Sequence, residues 1–358
     1  MQEDNRGEKP NPRDKAKLGD GWQHNFKPLA PLDVMKAKTF SDMLDQMTRC
    51  SFGARGLGEA AEVLYAMASD PKCFVVGTFA GAMTAAKMGL LITEMIDQGI
   101  LNAVVATGAL IGHGLIEQSG NTHFKHDPSW SDEELYQLGY DRIYDTIELE
   151  SNIYAAEDIM VAALDARKPQ EHFGVHQLMD WVGEHLVKNF EGRGILQSAH
   201  QKGVPVYIPA FLDSEIGLDV VTYNMLHELK GEPTVYFDPQ CDVMDFLNRL
   251  SSAERLGIFT VGGGVPRNWA QQLGPLAELL YEHTDGKQGG LVRYHYGVRI
   301  CPEPVHWGGL SGCTYSEGVS WGKFVPAGEG GRFAEVLCDA TIAWPILVRG
   351  VLERMGRV

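Results

Sequence analysis

The sequence has 358 residues, of which 44% are hydrophobic and 22% are charged, and this balance excludes a chain that is mostly disordered. Its formal net charge of −16 opposes binding to the phosphate backbone of a nucleic acid and favours cationic ligands. The longest apolar runs are shorter than the roughly 18–20 residues that a membrane-spanning helix needs. We therefore predict a cytoplasmic protein that associates with neither nucleic acid nor membrane.

The first 38 residues are predicted to form an N-terminal arm, followed by one large domain over residues 39–354. The arm begins with MQEDNRGEKPNPRDK, which has too few apolar residues to be held by burial, so we expect it to be mobile or to lie along the surface. The first glycine motif of the domain, GLGEAA at residues 56–61, matches a dinucleotide-binding fingerprint, but no convincing strand precedes it. The simpler interpretation is that its glycines lead into a helix.

Short runs of β-branched and aromatic residues, each followed by small or glycine-rich turns, recur along the rest of the domain. Stretches with the helical spacing of apolar residues separate them. Strands that alternate with helices predict an α/β fold with a mostly parallel sheet covered by helices on both faces. The polar and aromatic segment over about residues 121–194 is predicted to be an insertion or a helical layer. The predicted strands lie in CFVVGTFAGA, NAVVATGALIGHG, VPVYIPAF, GIFTVGGGVP and AEVLCDATIAWP.

Three turns that follow these strands, TFAGAMT, TGALIGHG and VGGGVP, are candidates for holding a nucleotide. Backbone N–H groups that no side chain covers can approach a pyrophosphate at the start of a helix. Each turn alone is a weak signal, because glycine after a strand is often only a tight turn. Together they leave a nucleotide site and ordinary turns about equally supported.

Histidine and cysteine patterns indicate neither a metal site nor a disulfide framework. His172 and His176 are one helical turn apart, and His113, His123 and His126 are close in sequence, but no H-E-x-x-H motif or obvious carboxylate partner accompanies them. We interpret them as surface or packing histidines and predict no bound metal. The six cysteines include no C-x-x-C pair and are predicted to be free thiols.

The segment EGVSWGKF at residues 317–324 combines a carboxylate, an indole and a lysine. A lysine acts as a nucleophile only when its amine is neutral, and against an ordinary pKa of ~10.4 this requires an apolar or cationic environment. Trp321 and Val319 can provide apolar surroundings for Lys323. The indole can also contact a substrate ammonium while Glu317 supplies the opposite charge. The residues alone are compatible with a cationic-amine pocket and with an exposed lysine beside a packing tryptophan.

The motif SEGVSWGK, the SGC just before it, and the stretches PAFLDSEIGLD, GGGVPRN and LCDATIAWP resemble the motifs of the deoxyhypusine synthase family in order and approximate spacing. The resemblance runs from about residue 39 to residue 354. It implies a Rossmann-like subunit in a homotetramer, with NAD and an amine substrate held at dimer interfaces.

The resemblance also implies a reaction. A hydride passes from spermidine to NAD, 1,3-diaminopropane leaves, and an aminobutyl imine forms on Lys323 before an acceptor amine captures the group and the hydride returns. The acceptor is a protein lysine in deoxyhypusine synthase and putrescine in the homospermidine synthases of the same family. The alternatives are a catalytically silent regulatory paralogue and an enzyme that oxidises or cleaves an amine with water as the acceptor.

Family site residues can be carried onto this chain one by one. Lys323 matches the nucleophile. The amine-binding positions are matched by Glu317, Trp321, Asn268 and Gly308. The cofactor-binding positions are matched by Thr84, Thr107, Gly108, Asp213, Gly263, Asp339 and Ala340.

Five positions depart from the polar side chains of the family pattern: Leu310 replaces an aspartate, Asn268 a histidine, His113 a glutamate, Ala80-Gly81 a Ser-Asn pair, and Leu218 an aspartate, with Asp219 one step away. Each lost charge-assisted hydrogen bond is worth about 1.5–3 kcal/mol. We therefore expect a divergent, deoxyhypusine synthase-like protein, whose donor and acceptor amines the sequence leaves open.

Overall fold

The computed structural model describes residues 13–167 and 172–358, so the start of the predicted arm, residues 1–12, lies outside the described residues. No helix in the described ranges is long and apolar enough to cross a membrane. The strands are β1 (Cys73–Phe79), β2 (Ala103–Ala106), β3 (Phe124–Lys125), β4 (Tyr140–Ile143), β5 (Thr146–Leu149), β6 (Val206–Tyr207), β7 (Arg255–Val261), β8 (Tyr296–Ile300) and β9 (Arg332–Val336). The α-helices are α1 (Phe40–Thr48), α2 (Phe52–Ser69), α3 (Gly89–Asp97), α4 (Gly108–Gln118), α5 (Asp132–Gln137), α6 (Glu150–Asp165), α7 (Val175–Asn189), α8 (Ile195–Lys202), α9 (Glu215–Lys230), α10 (Pro239–Ser252), α11 (Gly264–His283), α12 (Tyr315–Ser320) and α13 (Ala340–Arg354).

Six strands form a parallel sheet in the order β6-β2-β1-β7-β8-β9. The chain moves outward from β1 to β2 and β6, returns to β7 on the other side of β1, and then continues outward through β8 to β9. The order therefore reverses between β1 and β7. In open α/β sheets a ligand crevice forms at the carboxyl ends of the two strands that flank such a reversal.

Alternate residues of the central strands face two separate hydrophobic clusters. Val75 and Phe259 pack in a cluster with α2 and α13, whereas Val76 and Ile258 pack in a cluster with α10 and α11. Because successive side chains of a strand point to opposite faces, both faces of the sheet are buried. The predicted α/β fold, with a parallel sheet between helices, is confirmed.

Two regions differ from the sequence prediction in detail. The strand β8 was not predicted, because Arg299 interrupts its short apolar run; this arginine is nevertheless buried. The segment 121–194 contains the expected helices α6 and α7, but it also forms a small antiparallel sheet in the order β3-β5-β4. The strands of this sheet are two to four residues long, too short for alternation to be recognised.

The two features predicted at the start of the chain can be placed in the structure. The motif GLGEAA lies inside α2, where Gly58 allows close packing, since a Cβ there would clash with the backbone of Thr48 at the end of α1. Residues 13–38 contain two single-turn 3-10 helices, Lys15–Lys17 and Trp22–His24. This segment meets α1 where the N–H of Asp33 donates to Oε1 of Gln46 over 2.7 Å.

Candidate active site

The matched cofactor positions lie on turns that follow the parallel strands at their carboxyl ends. Thr84 follows β1, Thr107 and Gly108 follow β2, Asp213 follows β6, Gly263 follows β7, and Asp339 and Ala340 follow β9. The turns after β1 and β7 touch at the reversal of strand order, where the N–H of Ala80 donates to the carbonyl of Val261 over 3.1 Å. A Cβ on Gly262 would lie 3.2 Å from the Cβ of Ala80. One edge of the sheet thus brings these turns together.

The helices that start at this edge, which include α4, α9, α11 and α13, differ in their caps. The hydroxyl of Thr107 accepts from the N–H of Leu110 at the start of α4, and the carboxylate of Asp339 accepts from the N–H of Thr341 over 2.7 Å at the start of α13. Helix α11 has Gly263 as its N-cap, with no side-chain hydrogen bond. Its first N–H groups lack a capping side chain at the strand reversal, which is the arrangement that binds phosphate groups.

Three of the matched cofactor residues differ in their accessibility. Thr84 is buried, and its hydroxyl donates to the carbonyl of Leu110 over 2.7 Å, which engages this side chain within the subunit. Gly108 is also buried, and the side chain of Ser214 packs so close to it that a Cβ at this position would overlap that side chain. Asp213, by contrast, is exposed at the same edge of the sheet.

A cavity beside the start of α11 brings together most of the matched amine-site residues. Lys323, Glu317, Trp321 and Asn268 all line it. Gly308 does not line this cavity and lies on an exposed turn nearby. Residues from α11, from α12 and from the turn after α12 therefore converge on one space.

The local sequence explains how Lys323 reaches the cavity. The hydroxyl of Thr314 accepts from the N–H of Glu317 over 3.1 Å and so caps α12. Gly322 has a φ of 69°, which suits glycine, and it turns the chain back after the helix. The N–H of Lys323 then donates to the carbonyl of Gly318 over 3.1 Å. This short helix and its turn hold the carboxylate, the indole and the amine on one wall.

The surroundings of Lys323 favour its neutral amine. Burial lowers the pKa of Lys323, and the positive charge of Arg267 lowers it further, whereas Cys313 and Glu317 act in the opposite sense. The Nζ atom lies 5.7 Å from the centroid of the Trp321 ring, within the range of a cation–π contact. This part of the cavity therefore contains an amine that can act as a nucleophile, on Lys323, and an aromatic surface that can bind an ammonium, on Trp321.

Comparison with known proteins places this site in a family. A family model described as deoxyhypusine synthase matches residues 42–351. The chain belongs to the deoxyhypusine synthase family. It is 32% identical over 328 residues to a protein of Methanosarcina acetivorans described as probable deoxyhypusine synthase 2, covering 91% of this chain and 90% of that protein. It is 31% identical over 310 residues to a deoxyhypusine synthase-like protein of Chlorobaculum parvum, with coverage of 85% and 84%.

A solved structure agrees with this assignment at the level of the fold. The crystal structure of a candidate deoxyhypusine synthase from Entamoeba histolytica matches with a TM-score of 0.57 at 12% identity, covering 90% of this chain and 96% of that chain. The resemblance inferred from the motifs is confirmed as family membership.

One departure from the family pattern, His113, lies beside the same cavity as Asp219, the neighbour of a second departure. Leu218 is exposed, whereas its neighbour Asp219 lines a second, smaller cavity together with His113 and Glu215. Burial and the charges of Glu157 and Glu215 raise the pKa of Asp219 to about 7. A carboxyl group at the position beside Leu218 therefore changes its charge near neutral pH in this family member.

The sequence analysis did not identify several residues of the cavity that contains Lys323, called the amine cavity below. Arg267 and Gln271 line it from α11, and Cys313 lines it from the segment before α12. Arg267 is buried and donates from Nη1 to the carbonyl of Cys313 over 2.8 Å. The spacing could have suggested these helix residues, because Gln271 follows the matched residue Asn268 by three positions and Arg267 by four. Residues at these spacings are neighbours on a helix surface.

Arg267 is expected to influence the pH at which the amine of Lys323 becomes neutral and reactive. Replacing it with glutamine removes a nearby positive charge, so the pKa of Lys323 should rise and the rising limb of the pH–rate profile should move to higher pH. The measurement is the rate of reductive trapping of the amine donor across pH. Arg267→Lys keeps the charge and should stay closer to the unmodified profile. An Arg267→Gln profile that does not move, or that moves to lower pH, contradicts this assignment.

Proposed function

We propose that the protein is a cytoplasmic, NAD-dependent transferase that moves an aminobutyl group from a polyamine such as spermidine to an amine acceptor through an imine on Lys323. The observation that carries the proposal is that Lys323 shares one cavity with Glu317 and Trp321 in a member of the deoxyhypusine synthase family. The net charge of −16 suits a cationic substrate.

The matched side chains that line the cavity with Lys323 can be related to steps of this reaction. The neutral Nζ of Lys323 adds to the imine carbon of the oxidised donor, a new C–N bond forms, and 1,3-diaminopropane leaves as the old C–N bond breaks. The carboxylate of Glu317 and the ring of Trp321 bind the ammonium of the substrate. Asn268 can donate and accept hydrogen bonds, but it cannot titrate near neutral pH as a histidine does. A proton transfer at this position therefore needs another group.

NAD is part of this proposal, and the carboxyl edge of the sheet fits it. When bound, the cofactor supplies the hydride acceptor and later the hydride donor. The start of α11 at Gly263, which has no capping side chain, is suited to the pyrophosphate. Thr107, Asp213 and Asp339 are the polar side chains of the neighbouring turns that would hold the rest of the cofactor, while Thr84, Gly108 and Ala340 shape those turns.

Product analysis tests the proposal and identifies the acceptor. The protein is incubated with NAD, spermidine and putrescine, and the amines are measured by mass spectrometry. Lys323→Ala serves as the negative control, and Lys287→Ala, which changes an exposed lysine, serves as the matched control. Homospermidine that depends on Lys323 identifies putrescine as the acceptor. Diaminopropane that forms only when a protein acceptor is added identifies a protein lysine. An aldehyde in place of a larger amine contradicts transfer.

The proposal includes a homotetramer with sites at dimer interfaces, and the surface of α9 supports contact between subunits. Leu218, Met225 and Leu229 are 57%, 62% and 84% exposed. Their spacing of seven and four residues places them along one face of the helix. An exposed apolar row of this kind is typical of a surface that another chain covers. Because α9 begins next to Asp213, a partner bound there lies beside the proposed cofactor site.

Introducing charge on this face is expected to dissociate the assembly. The double change Met225→Glu and Leu229→Glu would bury two carboxylates in an apolar contact, which costs several kcal/mol in total. Light scattering after size-exclusion chromatography measures the mass of the particle. Lys230→Glu, at an exposed position at the end of the same helix, is the control and should leave the mass unchanged. A double variant of unchanged mass would show that this face is not the contact.

A further inference from the structure

Three side chains that the proposed reaction does not use form a compact cluster behind the second cavity. Oε2 of Glu148 lies 2.6 Å from Nε2 of His123 and 3.3 Å from Nδ1 of His113. The three donor atoms lie within 4.8 Å of one another. The side chains of His123 and Glu148 are 0% and 1% exposed, and that of His113 is 12% exposed.

Three elements that are separate in the sequence build this cluster. His113 lies in α4, His123 directly precedes β3, and Glu148 lies in β5. The antiparallel pairing of β3 with β5 places Phe124 opposite Ile147, so His123 and Glu148 come next to each other at the following position of the same register. This pairing supplies the carboxylate that was not recognisable beside the histidines in the sequence.

Nε2 of His123 and Oε2 of Glu148 are in ion-pair contact, although the angle at the nitrogen is poor for a hydrogen bond. Nε2 of His123 is buried and has no hydrogen-bond partner among the described residues, although the carboxylate oxygen is only 2.6 Å away. The distance permits a hydrogen bond, so the direction of the ring nitrogen is what prevents it. A buried imidazole nitrogen without a well-aligned partner, next to a carboxylate oxygen, offers two of the ligand types that Zn²⁺ binds.

The carboxylate is held in the orientation that a metal ligand requires. Its Oε1 accepts from Nδ2 of Asn152 over 2.9 Å and from the N–H of Leu149 over 2.8 Å. These hydrogen bonds fix the carboxyl group and leave Oε2 as the oxygen that contacts both imidazoles. Partners that orient ligands in this way are a regular part of metal sites.

We propose that His113, His123 and Glu148 bind one divalent transition-metal ion, with Zn²⁺ as the ion that suits two imidazoles and one carboxylate. Metal–ligand bonds of about 2.0–2.2 Å place tetrahedral donor atoms roughly 3.4 Å apart, so Nε2 of His123 and Oε2 of Glu148, which are 2.6 Å apart, must separate by about 0.8 Å to admit the ion. His113 also lines the second cavity, and the proposal places a water molecule at the fourth position on that side. The ion ties α4, whose first turn follows Thr107 at the cofactor edge, to the three-stranded sheet.

Lys87 is the neighbour that opposes metal binding. Its Nζ lies 3.0 Å from Nδ1 of His123, and it also forms an ion pair with Glu117. When Nε2 of His123 binds the metal, Nδ1 carries the proton, and the ammonium pairs with Glu117 alone. Lys87→Met removes a positive charge close to the ion and is expected to strengthen metal binding by about tenfold.

The test measures the metal content and affinity of the full-length protein, purified without a metal-binding tag. About one Zn²⁺ per chain is expected, and exchange with Co²⁺ should give the visible absorption of a tetrahedral site. Glu148→Gln and His123→Ala should weaken binding by ~100-fold or more, and Asn152→Ala by about 10–100-fold. His200→Ala removes an imidazole outside the cluster and should leave the affinity unchanged.

Two results overturn the proposal. The first is a folded protein that takes up less than about a tenth of an equivalent of Zn²⁺ or Co²⁺, which leaves a cluster held by hydrogen bonds alone. The second is metal that remains bound with the same affinity after Glu148→Gln or His123→Ala. If these ligand variants do not fold, the metal content of the unmodified protein and the affinity of Asn152→Ala decide the question.

Discussion

Replacing Lys323 with alanine is expected to lower aminobutyl transfer by about a thousandfold or more, while the fold and NAD binding are retained. In the proposed reaction the Nζ atom forms the covalent bond to the transferred group, and no other lysine lines the cavity in the described part of the chain. The Lys323 side chain is also only partly buried, so its loss removes little packing. Steady-state turnover with spermidine and putrescine, together with NAD binding and circular dichroism, measures the effect.

A second variant separates loss of the nucleophile from loss of charge. Lys323→Arg keeps a cation at the same place but cannot form an imine under the same conditions, because a guanidinium stays protonated. It should therefore be as inactive as the alanine variant. Either variant retaining more than about a tenth of the turnover would contradict covalent catalysis at this residue.

Replacing Arg299 with methionine is expected to lower the free energy of unfolding by about 3–5 kcal/mol. The side chain of Arg299 is 1% exposed, and its Nη2 donates to Oε2 of Glu335 over 2.8 Å. Its Nη1 donates to the carbonyls of Ser311 and Cys313, in the segment that leads into α12. The change removes the cation that pairs with Glu335 and the donor to the carbonyl of Ser311, whereas the carbonyl of Cys313 keeps its hydrogen bond from Arg267. The segment that carries Lys323 is therefore loosened.

Urea unfolding of Arg299→Met measures this loss. The matched control is Arg293→Met. Nη2 of Arg293 lies 3.2 Å from Oε2 of Glu329, and the side chain of Glu329 is largely exposed. A surface pair of this kind is worth about 0–1 kcal/mol, so the control should unfold close to the unmodified protein. If the two variants lose the same stability, the hydrogen bonds of Arg299 do not hold the site segment in place.

The sequence predicted the parts of the fold that depend on strong local signals. The runs around β1, β2 and β7 are apolar, rich in β-branched residues and followed by glycine. Both the strands and their burial between helices could therefore be expected. The segment around Lys323 could be singled out because a carboxylate, an indole and an amine occur together with glycines. Its interpretation as a site nevertheless depended on resemblance to a family.

The remaining features depend on contacts between distant residues. The buried Arg299 makes β8 look polar in the sequence, although Glu335 and two carbonyls satisfy its charge in the fold. The spacing of Arg267 and Gln271 could suggest a shared helix face, but only the packing of α11 shows that this face lines the cavity with Lys323. The partner of His123 is Glu148, which only the pairing of two very short strands brings close. No local pattern records such pairings.

Reductive trapping tests most directly whether Lys323 carries the aminobutyl group. The protein is incubated with NAD and spermidine, reduced with borohydride, digested and analysed by mass spectrometry. An aminobutyl addition on the peptide that contains Lys323, which requires NAD and is absent from Lys323→Ala, is the predicted result. A protein that turns over spermidine while Lys323 stays unmodified, or that carries the addition on a different lysine, would contradict the assignment of Lys323 as the nucleophile.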